Sequence, residues 1–102
     1  MNELLTVNDK GEMVVHLPHE VDHHVAEAVR ADIDGALFSD NPKTLTFDLS
    51  GVEFMDSAGL GVILGRYRIL SMRGGHLTVT GMSGAIDKIF RMSGVYAIVD
   101  RQ

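Results

Sequence analysis

The stretch Phe47–Tyr67, FDLSGVEFMDSAGLGVILGRY, decides the fold, because it runs from a strand pattern through a turn into an apolar helix pattern. Leu45, Phe47 and Leu49 alternate with Thr44, Thr46 and Asp48, the period-two pattern of a strand with one buried face. Leu60, Ile63, Leu64, Tyr67 and Leu70 then recur at helical spacing, which predicts a helix over Ser57–Met72. Arg73-Gly74-Gly75 is a good ending for it, with a cation at the last turn and glycine beyond. One small hydroxyl, Ser57, stands at the junction between Asp56 and Ala58-Gly59. A serine there can be a cap, a nucleophile or a phosphate acceptor.

Towards the amino terminus, residues 3–8 and 12–17 read as two strands joined by a tight turn at Asn8-Asp9-Lys10-Gly11. Pro18 stops the second strand. Val25, Ala28, Val29, Ile33, Ala36 and Leu37 predict a helix between Val21 and Phe38, ending before Asn41-Pro42 because proline disfavours helical geometry in the preceding residue. Towards the carboxyl terminus, Leu77–Thr80 form a strand, and Ser83 caps a short helix carrying Ile86, Ile89 and Phe90 that ends near Gly94. Tyr96–Val99 is expected to be the last strand. This order predicts an α/β fold: a mixed, mostly parallel sheet of about five strands covered by helices, with an N-terminal antiparallel hairpin. The six methionines, and the Phe90–Met92 pair, are expected to fill core gaps, with Arg66 and Arg68 on the solvated side of the second helix.

Length and composition narrow the function. A chain of 102 residues, 45% hydrophobic, supports one domain over 1–102 with a core of its own. Cysteine is absent, which removes disulfides, thiolate metal sites and thiol catalysis and fits a reducing compartment; the expected setting is cytoplasmic. The net charge of −5, with Lys and Arg scattered, speaks against a nucleic-acid partner. No apolar run is long enough to span a bilayer, so no membrane partner is expected.

At the junction, Asp56 is well placed to cap the helix, which puts Ser57 first in the helix at the positive end of its dipole. Gly59 and Gly61 leave that turn without bulk, so another protein's backbone or a phosphate can come close. Interior glycines cost a helix about 1 kcal/mol each relative to alanine, so Gly59, Gly61 and Gly65 call for a packing or access reason. The nucleophile reading fails: a serine elbow needs glycine two residues before its serine, where Met55 stands, and His76 is the one histidine that follows. A phosphate loop fails too, because GLGVILG is not followed by Lys-Ser or Lys-Thr. From local sequence, cap and phosphate acceptor both stay open.

VEFMDSAGLGVILGRYR, residues 52–68, resembles the signature of the STAS domain family, and within it the sporulation-type anti-sigma factor antagonists. Glu20-Val21-Asp22-His23-His24, with Ala26-Glu27, resembles the Glu-Leu-Asp-His-His start of that family's first helix, and Arg91-Met92-Ser93-Gly94 resembles the end of its third. The resemblance implies a STAS fold and a regulatory binding module that is no enzyme and needs no cofactor. It implies that Ser57 is the phosphorylation site. It places partner binding on Asp22, His23, His24, Asp56, Ser57, Ala58, Gly59 and Leu60, with Asp22 facing a basic residue of the partner or simply capping the first helix. The implied partners are an anti-sigma factor serine kinase that uses ATP and a PP2C-type phosphatase, with the free chain a monomer. A STAS signalling module for a non-sigma partner is the alternative, and a nucleotide-binding enzyme a remoter one. Two departures stand out: Ala58 replaces a second serine common in relatives, and relatives continue into a further C-terminal helix, so part of the sheet face is expected to be less covered.

His16, His19, His23 and His24, with Asp22, offer metal-ligand chemistry, but ligand spacing alone is a weak motif. The adjacent His23 and His24 are expected to point to different faces of a helix start, and no metal is expected.

Overall fold

Alternating apolar side chains build the sheet, and the structure, a computed structural model, describes residues 4–102. The elements in order are β1 (Leu5–Val7), β2 (Met13–His16), β3 (Glu20–Val21), α1 (His23–Asp40), β4 (Thr44–Asp48), β5 (Phe54–Met55), α2 (Ser57–Met72), β6 (His76–Thr80), α3 (Gly84–Ser93), a 3-10 turn (Val95–Ala97) and β7 (Asp100–Arg101). Five strands form one sheet in the order β1-β2-β4-β6-β7, with β1–β2 antiparallel and the other pairs parallel. The expected mixed sheet with its N-terminal hairpin is therefore present. Glu3, the first residue of the expected opening strand, lies outside the described residues.

Local chemistry fixes the boundaries. In the hairpin turn, Asn8 Oδ1 accepts from the backbone N–H groups of Lys10 and Glu12, both at 2.9 Å, and Gly11 takes a left-handed φ of 78°. Helix α1 ends at Asp40, and Asn41 follows in left-handed geometry (φ 46°, ψ 55°) ahead of Pro42. Val15, Leu45, Phe47, Leu77 and Val79 point to one face of the sheet and join Ile33 and Leu37 of α1, Ile63 and Leu70 of α2, and Ile86 and Phe90 of α3 in one buried core. The other face, carrying Val14, His16, Thr44, Thr46, Asp48 and Thr80, is half-buried.

Three expectations need correction. Tyr96–Val99 is not a strand: Gly94 reverses the chain at φ 81°, a 3-10 turn follows, and the edge strand comes at Asp100–Arg101. Val95 and Val99, four residues apart, are the buried pair, so the apolar run follows helical rather than strand spacing. Met13 and Met55 do fill the core, but Met72 and Met92 are 83% and 78% exposed, so the Phe90–Met92 pair is split between core and solvent. Arg66 does not face solvent. It is buried against α1, with Nε 3.2 Å from Asp34 Oδ1, whereas Arg68 is exposed as expected.

Burial lowers the Arg66 pKa and the Asp34 carboxylate opposes that, so the guanidinium depends on its partner. Asp34→Ala is expected to cost about 1 kcal/mol, less than a fully buried pair because Asp34 is half exposed. Arg66→Met, which removes both the charge and its desolvation, is expected to be neutral or stabilising in urea denaturation.

The last strand is held through one carboxylate. Tyr96 Oη donates to Asp87 Oδ1 at 2.6 Å, Arg91 Nε donates to Oδ2 at 2.7 Å, and Arg101 Nη2 lies 2.9 Å from Oδ1. The Tyr96 hydroxyl, then Arg91, hold the Asp87 carboxyl below its ordinary pKa of 3.8, while burial and this carboxylate push Tyr96 up to about 12. A depressed folded-state pKa means that stability is complete above 3.8 and is lost as pH falls through the lower, folded value. Wild type and Asp87→Asn are thus expected to differ in thermal midpoint at neutral pH and to converge below about pH 4. A difference that stays constant down to pH 2.5 would contradict this role.

Candidate functional site

Two short strands absent from the expected elements create the site. β3 and β5 pair in parallel, Glu20 opposite Phe54 and Val21 opposite Met55, as a two-stranded sheet apart from the main one. Each strand then runs through one aspartate into a long helix, β3 through Asp22 into α1 and β5 through Asp56 into α2. The pairing sets the two helix starts side by side.

Both aspartates cap. Asp56 Oδ1 accepts from the N–H groups of Ala58 at 2.9 Å and Gly59 at 3.2 Å, and Asp22 Oδ1 from His24 at 3.1 Å and Val25 at 3.0 Å. The Val25 and His24 amide bonds hold the Asp22 carboxyl below its ordinary range, the first of them contributing most. Because Asp56 does the capping, Ser57 is left as an exposed first residue of α2. It opens the 16-residue α2, whose start adjoins that of the 18-residue α1 through the β3–β5 pairing, at the positive end of the helix dipole.

The three glycines separate. A Cβ on Gly59 would lie 2.6 Å from Met55 Cγ, 2.8 Å from Val21 O and 3.1 Å from Val21 Cγ1, so this glycine lets α2 press onto the β3–β5 pair. A Cβ on Gly61 or Gly65 would meet nothing within 4 Å. Packing explains Gly59, and access remains for Gly61, which is exposed.

Asp22, His23, His24, Asp56, Ser57, Ala58, Gly59 and Leu60 all fall on these two adjoining helix starts. His23, His24 and Ser57 are exposed, Asp22, Asp56, Ala58 and Leu60 half-buried, and Gly59 is buried beneath them. The rings of His23 and His24 do not diverge as expected; they stack with centroids 4.1 Å apart, tilted by 35°. The other two histidines are engaged elsewhere. His19 Nε2 lies 3.0 Å from Glu53 Oε1, and His16 Nδ1 lies 2.9 Å from Asp48 Oδ2. His16 Nε2 also meets Thr6 Oγ1 at 2.8 Å, which ties β1, β2 and β4 together on the half-buried face. Among the described residues no group of three or more His, Cys, Asp or Glu side chains is placed to hold a metal ion.

Sequence reading missed Glu20, Glu53 and Phe54 as neighbours of the site. Strands of two residues are too short for periodicity to reveal, and Phe54-Met55 read as part of the turn. Grooves of about 320 and 330 Å³ lie elsewhere, one lined by Asn8, Asp9, Lys10, Glu12, Thr46 and Gln102, the other by Leu64, Tyr67, Arg68, Ser71, Met72 and Ile98. The Ser57 surface belongs to neither. Among the described residues no helix is long and apolar enough to cross a membrane.

Comparison with known proteins gives consistent matches. The family model of the STAS domain matches residues 3–101. The anti-sigma F factor antagonist of Paenibacillus polymyxa is 36% identical over 90 residues, which is 88% of this chain and 77% of that protein. The structure of the anti-sigma factor antagonist SpoIIAA in its unphosphorylated form superposes with a TM-score of 0.83 at 32% identity, covering 96% of this chain and 85% of that one. The Bacillus cell fate determinant SpoIIAA in the phosphorylated form gives a TM-score of 0.76 at 32% identity, covering 96% and 88%.

Proposed function

The chain belongs to the STAS domain family, and on that premise we propose that it is an anti-sigma factor antagonist switched by phosphorylation of Ser57. Unphosphorylated, it binds a cognate anti-sigma factor that is a serine kinase, and so frees the sigma factor that kinase holds. The kinase then transfers the γ-phosphoryl group of ATP to the Ser57 hydroxyl, whose proton is released, and the complex separates with ADP as product. A PP2C-type phosphatase hydrolyses the phosphoserine and resets the switch. The chain acts as a monomer in the cytoplasm and does no chemistry of its own.

The observation that carries this reading is the division of labour at the junction. Asp56 accepts from two first-turn amides and Ser57 is left exposed, so the acceptor can be modified without undoing the cap. A phosphate there adds about −1.5 to −2 charges at pH 7 in the middle of the contact surface, beside two carboxylates. The helix tolerates it, because dipole and amides favour an anion at this end. The partner does not, because rebinding would desolvate the phosphate. One fold then has two binding states.

The test is intact-mass analysis after incubation with the cognate kinase and ATP. Wild type is expected to gain one phosphate and Ser57→Ala none. A phosphate still added to Ser57→Ala would place the acceptor elsewhere and overturn the assignment.

A further inference from the structure

Phe54 is 51% exposed although it lies on a strand paired along its length. Exposure alone selects nothing, since Phe38, Met72 and Met92 are more exposed still. Its position is what distinguishes it. Met55 points inward at 4% exposure, so strand alternation puts Phe54 on the outward face with Asp56, leading directly to Ser57. Its register partner Glu20 is exposed on the same face, ahead of Asp22. Backbone bonds from Glu53 N and Phe54 N to His19 O, at 2.8 and 3.2 Å, and from Asp56 N to Val21 O, at 3.3 Å, fix the segment. The ring is thus presented by a paired strand rather than a free loop.

The two segments that pair there carry formal charge of one sign. Residues 17–24 and 51–61 contain four carboxylates and no Lys or Arg; Asp22 and Asp56 cap helices, Glu53 has His19 at 3.0 Å, and Glu20 is exposed. An exposed aromatic ring on a paired strand, flanked by carboxylates, has the composition of an interface anchor, with apolar area at the centre and charge outside.

We propose that Phe54 is the apolar anchor of the partner contact, seated in an apolar pocket of the kinase whose rim carries cations facing Glu20 and Glu53. This rests on the reading of Ser57 given above and adds the partner's chemistry to it. The cations belong at the rim and not over Ser57. A cation over Ser57 would hold the phosphoserine rather than release it, and the kinase must bring the phosphates of ATP to that point. The anchor supplies residence time, the carboxylates supply encounter rate, and the serine supplies the switch.

Binding of unphosphorylated wild type, Phe54→Ala, Phe54→Leu and Glu20→Gln to the cognate kinase, measured by surface plasmon resonance across a salt series, tests this. Thermal unfolding first establishes that each variant is folded. Phe54→Ala is expected to weaken binding at least about tenfold, mainly by faster dissociation, with Phe54→Leu recovering much of the loss. Glu20→Gln is expected to slow association and to flatten its salt dependence. Phe54→Ala binding within twofold of a tightly bound wild type overturns the anchor while leaving the Ser57 switch intact. A wild type that does not bind the kinase overturns the functional reading and the anchor with it.

Discussion

Gly59→Ala is expected to lower the stability of the chain by about 2 kcal/mol, although alanine is the better helix former. The added methyl would sit 2.8 Å from the carbonyl oxygen of Val21 and 2.6 Å from Met55 Cγ. Met55 can change rotamer, but Val21 O belongs to the backbone that pairs β3 with β5 and accepts from Asp56 N. Either that pairing opens or the start of α2 lifts off. Overpacking of this kind costs about 1–3 kcal/mol, and a backbone obstacle belongs at the upper end, which outweighs the gain of about 1 kcal/mol in helix propensity. For a domain of this size the thermal midpoint should fall by about 8–16 °C. Gly61→Ala is the control. Its Cβ would enter open space, so it should raise stability by up to about 1 kcal/mol while weakening partner binding if a backbone packs against that turn. A stabilised Gly59→Ala would refute the close approach.

Ser57→Glu is expected to abolish the complex with the kinase, a loss of at least about 100-fold in affinity, while Ser57→Ala stays bound. The same change should leave the fold intact or stabilise it by about 0.3–1 kcal/mol, because a carboxylate at the first position of α2 meets the positive end of the helix dipole. Opposite signs for stability and binding are the mark of a switch that works through charge at the contact rather than through unfolding. Ser57→Ala is expected to be silent for folding, because the cap belongs to Asp56, whose bonds to Ala58 and Gly59 do not involve the hydroxyl. Asp56→Ala is the contrasting case, since it removes the cap. Equal binding by Ser57→Ala and Ser57→Glu, with both folded, would remove the basis of the proposal.

Much of this site is legible in the chain because its signals are local. The cap at Asp56, the apolar spacing from Leu60 to Leu70 and the glycine after Arg73 give α2 its observed limits, Ser57–Met72. The same holds for Asp22 before α1 and Ser83 before α3. What escapes sequence reading depends on partners distant in the chain. Arg66 looks like a surface cation until Asp34, on another helix, is seen beside it. Arg73 reads as a cation for its own helix end, yet its Nη1 donates to Leu37 O of α1 at 3.1 Å and ties the two helix ends together. β3 and β5 have two residues each, so neither carries a pattern, but their pairing is what brings Asp22 beside Asp56. The last apolar run went wrong for a different reason. Tyr96 spends its hydroxyl on Asp87, and Val95 and Val99 bury at helical spacing, which suits a turn and not a strand.

One modification at Ser57 is expected to change binding and leave the fold alone. Its most direct test is isothermal titration of the cognate kinase with a single preparation in three states: unphosphorylated, phosphorylated by that kinase, and treated afterwards with a PP2C-type phosphatase. Tight binding, loss of binding and full recovery are expected, with the same circular dichroism spectrum in all three states. Equal affinity before and after phosphorylation would contradict it.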